Sequence, residues 1–389
     1  MQSQNWFVAI AALLIGFGPS SAIAEPGVSG SKIVFGQAAA LEGPAAALGR
    51  SIRTGLLAAF NEANAQGGIA GRQLELVSRN DDYEPDLSVA ATKQLIEQDH
   101  VFALAGAVGT PPSMATEPIA QVAGVPFIGP FTGAEFLREP FKPNVVNIRA
   151  SYFEETEAML EHLTKDRGIT RIGILYQDDS FGRAGLAGVL RALEKRGLKL
   201  AVEGTFERNT RAVKTALATI RKANPQAVIM IGPHGPCAEF VKLARQFHFE
   251  PLLLASSFTS LDALVRDLGP PATGIFFTQV VPLPSDASVP AAARYRAALA
   301  ALDPEATPNA VSFEGYLVGR LIGAALQAAG GEPTRKSFLD AIFEHEFDFG
   351  GIVLDYRGHG NQATAHVSLV VVDPDGKAKS VAGLNPPVE

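Results

Sequence analysis

From position 31 onward, short and nearly unbroken apolar runs alternate with longer stretches in which apolar residues return every three or four positions. The runs predict strands and the periodic stretches predict amphipathic helices. A strand is expected at 32–39. A helix at 50–65 follows, with Ile52, Leu56, Ala59, Phe60 and Ala63 on one face, and Gly67, Gly68 and Gly71 end it. A strand at 73–78, a helix at 85–98, a strand at 101–106, a helix at 112–122 and a strand at 125–128 complete a first block. The alternation then repeats. Helices are expected at 153–166, 182–196, 212–223 and 238–247, and strands at 171–177, 199–205, 227–232 and 252–255. Runs such as Val228-Ile229-Met230-Ile231 are apolar on both faces, as in a parallel sheet covered by helices on each side. Two such blocks make the fold class α/β, with two doubly wound, Rossmann-like lobes. After Thr278 a stretch bearing Pro282, Pro284 and Pro290 leads to helices at 291–301, 312–328 and 335–344. A last pair of strands, 351–356 and 365–373, is expected to be joined by the turn at 358–361.

Size and charge narrow the function. With 389 residues and 47% hydrophobic positions, the chain is too long for one ordinary core, in keeping with two lobes. A formal net charge of −7 argues against nucleic acid, which needs a basic face to displace counterions. Residues 6–17 are apolar and Ala22-Ile23-Ala24 precedes Glu25, the pattern of a secretory signal peptide cleaved after Ala24. No Lys or Arg precedes the apolar run, so only the amino terminus supplies positive charge there. No later apolar stretch reaches the ~18 to 20 residues that span a bilayer, so the mature chain is not expected to insert in a membrane. Cys237, the sole cysteine, excludes an intramolecular disulfide and a four-cysteine metal site.

The order of KIVFGQAAALEGPAAALG (32–49), NEANAQGGIAGRQLEL (61–76), GAVGTPPSMA (106–115) and GPFTGAEFLR (129–138) resembles the leucine/isoleucine/valine-binding protein family. The similarity continues through GILYQDDSFGRAG (173–185) and AVIMIGPHGPCAEFVKLAR (227–245), and it covers residues 31 to 373. These are periplasmic receptors of branched-chain amino acid type ABC importers. The resemblance implies the type I periplasmic binding protein fold: two lobes joined by a three-segment hinge, with a small-molecule ligand held between them. It implies a first lobe of 31–149 and 281–350 and a second of 150–280 and 351–385, with crossovers near 149–151, 279–281 and 350–352. It also implies a periplasmic monomer whose partner is an importer permease.

In open parallel sheets, ligands lie beyond the carboxyl ends of the strands, where helix N-termini present free N–H groups. Thr110 follows the strand at 101–106 and precedes Pro111 and Pro112, which suit a helix start. Its hydroxyl and the helix dipole could hold a carboxylate, or Thr110 could serve only as an N-cap. The resemblance favours binding. Phe131, Thr132 and Gly133 follow the next strand. The family uses this loop on the ligand's charged head, but Thr132 and Glu135 also spell a T-x-x-E capping box. On the second lobe the resemblance points to Phe181, to the loop of His234 and Gly235, and to Ser257 and Phe258. Amino-acid-binding members carry an acid in that last loop to pair with the ligand's ammonium. This chain has Ser-Ser-Phe-Thr-Ser there, and Asp262 comes too late to match. Leu48 stands where the family often has an aromatic contact. A buried ammonium without a carboxylate is costly. The expected ligand is therefore a carboxylate, or a similar polar head, on an apolar or aromatic body, held by Thr110 and surrounded by Phe131, Phe181 and Phe258.

Catalysis is not expected. No nucleophile elbow, P-loop, H-E-x-x-H or G-x-G-x-x-G stands at a strand-to-helix turn. Gly182, Gly185 and Gly188 suit helix packing, adjacent Asp178 and Asp179 suit helix capping, and His234 with Cys237 lacks a third metal ligand. No cofactor is expected. A stand-alone exported sensor of the same fold is the other function this sequence allows.

Overall fold

The structure is a computed structural model that describes residues 25–358 and 360–384. The expected signal peptide and its cleavage point lie outside the described residues. In the first lobe, β1 (Lys32–Ala39), α1 (Ala46–Ala65), β2 (Gln73–Asn80), α2 (Pro85–Glu97), β3 (Ala103–Ala105), α3 (Thr110–Val122), β4 (Phe127–Ile128) and β5 (Val145–Val146) follow one another. Their strands form a parallel sheet in the order β2-β1-β3-β4-β5.

The second lobe contains α4 (Tyr152–Arg167), β6 (Ile172–Gln177), α5 (Ser180–Glu194), β7 (Val202–Phe206), α6 (Lys214–Ala223), β8 (Ala227–Ile231), α7 (His234–Gln246), β9 (Leu252–Ala255), α8 (Leu261–Leu268) and β10 (Phe276–Gln279). Every residue of β6 and β8 is buried, as strands covered on both faces require. The glycines of α5 serve close packing: a Cβ on Gly185 would lie 2.6 Å from Ile231, and one on Gly188 2.4 Å from Thr156 Oγ1.

The chain then returns to pack on the first lobe through α9 (Pro290–Leu302), α10 (Ala310–Ala329) and α11 (Arg335–Glu344). Helices α1 and α10 meet backbone to backbone, since a Cβ on Gly55 would stand 1.9 Å from Ser312 O. The end of the chain differs from the expected pair of strands. β11 (Glu346–Asp348) and β12 (Val353–Asp355) form their own antiparallel hairpin. β13 (Ser368–Val372) instead joins β10, antiparallel, and carries β14 (Ala378–Val381) as the edge strand of the second sheet. That sheet runs β14-β13-β10-β9-β8-β6-β7. Asn361 still bonds to first-lobe carbonyls, with Nδ2 donating to Leu137 O at 2.8 Å, and Ser368 is the first residue in the second sheet.

Candidate functional site between the lobes

Loops beyond the carboxyl ends of β2, β3, β4, β6 and β9 converge between the lobes. Phe258, after β9, stacks on Phe131 of the first lobe with centroids 5.3 Å apart, and lies 4.4 Å from Phe181 and 6.3 Å from Tyr83. Tyr152, in the first turn of α4, stands 5.5 Å from Phe181. All five rings are buried. The three phenylalanines expected around a ligand body are thus in one cluster, and they touch across the cleft.

At one edge of this cluster the Thr110 and Thr132 hydroxyls are hydrogen-bonded at 2.7 Å, with Tyr152 Oη 3.4 Å from Thr132 Oγ1. Neither threonine caps a helix. The N-cap of α3 is Gly109, and Thr110 is already helical. Pro111 and Pro112 carry no N–H, and the Ser113 N–H donates to Gly109 O at 3.0 Å. The first turn therefore offers an anion fewer N–H donors than an ordinary helix start, essentially that of Thr110. The T-x-x-E box does not form. Residues Glu135–Leu137 make only a 3-10 turn capped by Ala134, and Thr132 Oγ1 accepts from Ala134 N at 3.3 Å instead. Gly133 is held by close approach, since a Cβ there would lie 2.7 Å from Tyr152 N.

Behind the aromatic cluster lies a buried charge cluster that sequence reasoning missed. Arg149, between β5 and α4, is fully buried, with its guanidinium carbon 4.6 Å from the Phe131 ring centroid. Its Nη2 is 3.4 Å from Glu155 Oε1 and its Nη1 3.7 Å from Glu314 Oε1 on α10. Glu155 also accepts from Ser257 N and Oγ, each at 2.9 Å, and from the Thr278 hydroxyl. Ser257 is thus committed to Arg149 and Glu155. Burial alone would lower the Arg149 pKa, but Glu314 and Glu155 outweigh it and hold the guanidinium charged. Burial pushes the Glu314 carboxyl up to about 7 against the pull of Arg149. A carboxylate does therefore stand beside the 256–258 loop, supplied by α4, but its lone pairs are taken by the protein. The capping box of Ser151 and Glu154 starts α4 and sets Tyr152 and Glu155, three residues apart, on one face.

Other expected residues lie elsewhere. His234 and Gly235 are in the first turn of α7 rather than in a preceding loop. His234 Nε2 is 4.0 Å from Asp267, and burial lowers its pKa, so the ring is neutral near pH 7. A Cβ on Gly235 would face the Arg211 guanidinium at 3.3 Å. These contacts belong to the second lobe alone. Leu48 is buried in the core as part of α1. Asp179 caps α5, accepting from Phe181 N at 2.9 Å and Gly182 N at 3.4 Å. The buried Cys237 thiol is pushed up to about 12, so it is not a reactive nucleophile. Among the described residues no group of three or more His, Cys, Asp or Glu could hold a metal, and no helix is long and apolar enough to cross a membrane.

The lobes also meet at the rim. Arg208 donates to Glu84 at 2.8 Å, and Asn209 Nδ2 donates to Glu84 Oε1 at 2.7 Å and to Asp82 O at 3.0 Å. A hollow of about 640 Å³ on the face of α4 and α5, lined by Phe153, Glu154, Glu157, Arg191 and Lys195, lies outside the cleft, and Arg191 stacks over its one ring, Phe153, at 4.9 Å.

Residues 32–377 match the family model described as periplasmic binding protein. A structure from Rhodopirellula baltica SH 1, described as a possible leucine/isoleucine/valine-binding protein, is 39% identical with a TM-score of 0.86, over 90% of this chain and 96% of that one. A substrate-binding periplasmic protein from Ralstonia solanacearum is 29% identical with a TM-score of 0.85, over 90% and 99%. The Leu/Ile/Val-binding protein homolog 7 of Brucella suis biovar 1 (strain 1330) is 23% identical over 286 residues, 70% of this chain and 69% of the relative. With this match along most of its length and two α/β lobes meeting at a buried cleft, the chain belongs to the periplasmic binding protein family and resembles its leucine/isoleucine/valine-binding members.

Proposed function

We propose that this chain is an exported receptor that holds a small organic carboxylate between its lobes and delivers it to the permease of an ABC importer. Thr110, Thr132 and Tyr152 take the polar head, and Phe131, Phe181 and Phe258 enclose an apolar or aromatic body. The observation that carries this is the Thr110–Thr132 hydroxyl pair, 2.7 Å apart, at the edge of an aromatic cluster drawn from both lobes. Binding would bridge the lobes, and the ligand must prefer the closed arrangement in order to favour it. Export with cleavage after Ala24 accompanies this function, as does delivery to a permease rather than to a sensory receptor.

A zwitterionic amino acid is the second reading, favoured by the description of the Rhodopirellula baltica relative. Against it, Glu155 is the acid nearest the 256–258 loop, and it already serves Arg149, Ser257 and Thr278. An incoming ammonium would have to displace one of them.

The test is a thermal-shift screen of residues 25–389, stripped of bound ligand by unfolding and refolding. A ligand at ~100-fold over its Kd adds about 2.7 kcal/mol. At about 0.8 kcal/mol/K of unfolding entropy for a chain this long, the midpoint rises by about 3 °C. Shifts with aromatic or aliphatic carboxylates, and none with leucine or valine, are expected. The converse result overturns the ligand class.

A further inference from the structure

Two turns face each other across the rim of the cleft, one from each lobe. The first, Asn80 to Glu84, joins β2 to α2, and the second, Glu207 to Thr210, follows β7. Each is shaped by its own lobe. In the first, Asp81 accepts from Tyr83 N and from the Ser88 hydroxyl, each at 2.9 Å, and Asn80 Nδ2 donates to Asp82 Oδ1 at 2.7 Å. In the second, the Thr210 hydroxyl donates to Glu207 O at 2.8 Å. Asp82, Tyr83 and Asn209 have φ of 50°, 63° and 59°, a left-handed region that residues with a side chain rarely occupy. Bonds within each lobe hold this strain, so both turns keep their shape whether or not they meet.

Where they meet, both carboxylate oxygens of Glu84 are bound from the other lobe. Arg208 Nη2 donates to Glu84 Oε2 at 2.8 Å, and Asn209 Nδ2 donates to Glu84 Oε1 at 2.7 Å and to Asp82 O at 3.0 Å. Every partner is a protein group outside the aromatic cluster, so these bonds require nothing in the cleft. Preformed turns also lose little conformational freedom on meeting. The same turns seat the cleft walls. The Tyr83 ring lies 6.3 Å from Phe258, and Arg208 Nη1 is 3.3 Å from Asp179 Oδ2, while Asp179 Oδ1 accepts from Phe181 N at 2.9 Å.

We infer that Glu84, Arg208 and Asn209 form a latch that closes the lobes in the absence of a ligand, so that the ligand-free chain exchanges between open and closed forms. A ligand then shifts an equilibrium already in place, and the latch sets the closed fraction that it meets. The Glu84 and Arg208 side chains are 40% and 25% exposed, so salt weakens the latch. This inference concerns closure alone and is independent of the ligand's class.

The experiment measures the distance between two spin labels in residues 25–389, freed of ligand by unfolding and refolding. The labels are placed on Leu87→Cys in α2 and Leu190→Cys in α5, exposed positions on opposite lobes, while the buried Cys237 escapes labelling. Pulsed electron spin resonance should give two populations, the shorter distance being the closed form. Glu84→Ala should lower the closed-to-open ratio about 5-fold at low salt. Salt at about 1 M should lower it to a similar degree in the chain that keeps Glu84. A single long-distance population, or a ratio that Glu84→Ala or salt leaves unchanged, overturns the latch. The salt series on the chain that keeps Glu84 decides the matter even if the Glu84→Ala variant folds poorly.

Discussion

Replacing Glu155 by Gln removes the carboxylate on which both Arg149 and the 256–258 loop depend. Arg149 and Glu155 are each fully buried, so the guanidinium would keep only Glu314, 3.7 Å away, as a counter-charge. Removing one partner of a buried ion pair costs about 3 to 5 kcal/mol, mostly the penalty of the stranded charge. Glu314 offsets part of this, because the repulsion from Glu155 that helps keep it protonated disappears. A loss of about 3 kcal/mol is therefore expected. At about 2.1 cal/mol/K of unfolding entropy per residue, this lowers the midpoint by about 4 °C. The assay is calorimetric melting at pH 7.5 of Glu155→Gln, Arg149→Met and the double variant. The double variant should lose less than the sum of the singles, since neither charge is left alone. A midpoint within about 1 °C of the parent for Glu155→Gln, or strict additivity, would refute the reasoning.

Glu314 makes a pH prediction. Its folded pKa of about 7 lies above the ordinary 4.5, so the folded state holds the extra proton between those values. Its contribution is complete below about pH 4.5 and lost as the pH rises through 7, by about 3 kcal/mol in all. Melts between pH 5 and 8 should show a shallower decline in Glu314→Gln; an unchanged slope counts against the assignment. Thr132→Val should keep the fold but weaken ligand binding about 10-fold by calorimetry, because the Thr110 hydroxyl loses its partner and the head loses a contact. Equal affinity would remove Thr132 from the site. Arg208→Ala should weaken binding by up to about fivefold at low salt, with the difference shrinking at high salt, because the Arg208–Glu84 pair is partly exposed and screened. An effect that salt leaves unchanged would contradict that account.

Much of this arrangement was legible along the chain because local pattern and tertiary demand agree. The unbroken apolar run at 228–231 suits a covered strand, and β8 is buried throughout. Phe131, Phe181 and Phe258 each follow a strand, and topology alone brings such positions to one crevice. Tyr83 and Tyr152 obey the same rule. Tyr83, however, sits in an Asp81-Asp82-Tyr83 turn before Pro85, and Tyr152 at the start of α4, where nothing local separates lining from linkage. Thr132 shows the opposite failure: a correct capping pattern yields to the tertiary pull of Thr110. The helix expected at 238–247 starts earlier, at His234, because Pro236 in the first turn forfeits only an N–H that needs no intrahelical partner. The junction of Arg149, Glu155 and Glu314 joins two lobes across 165 positions of sequence, measured from Arg149 to Glu314, and no spacing announces it.

The most direct test of the account is a crystal structure of the refolded protein with the tightest-binding acid from the thermal screen. Its carboxylate is expected within hydrogen-bonding distance of the Thr110 and Thr132 hydroxyls, and its body between Phe131, Phe181 and Phe258. A ligand seated elsewhere, such as in the hollow of Glu157 and Arg191, or a carboxylate turned away from both threonines, would contradict it.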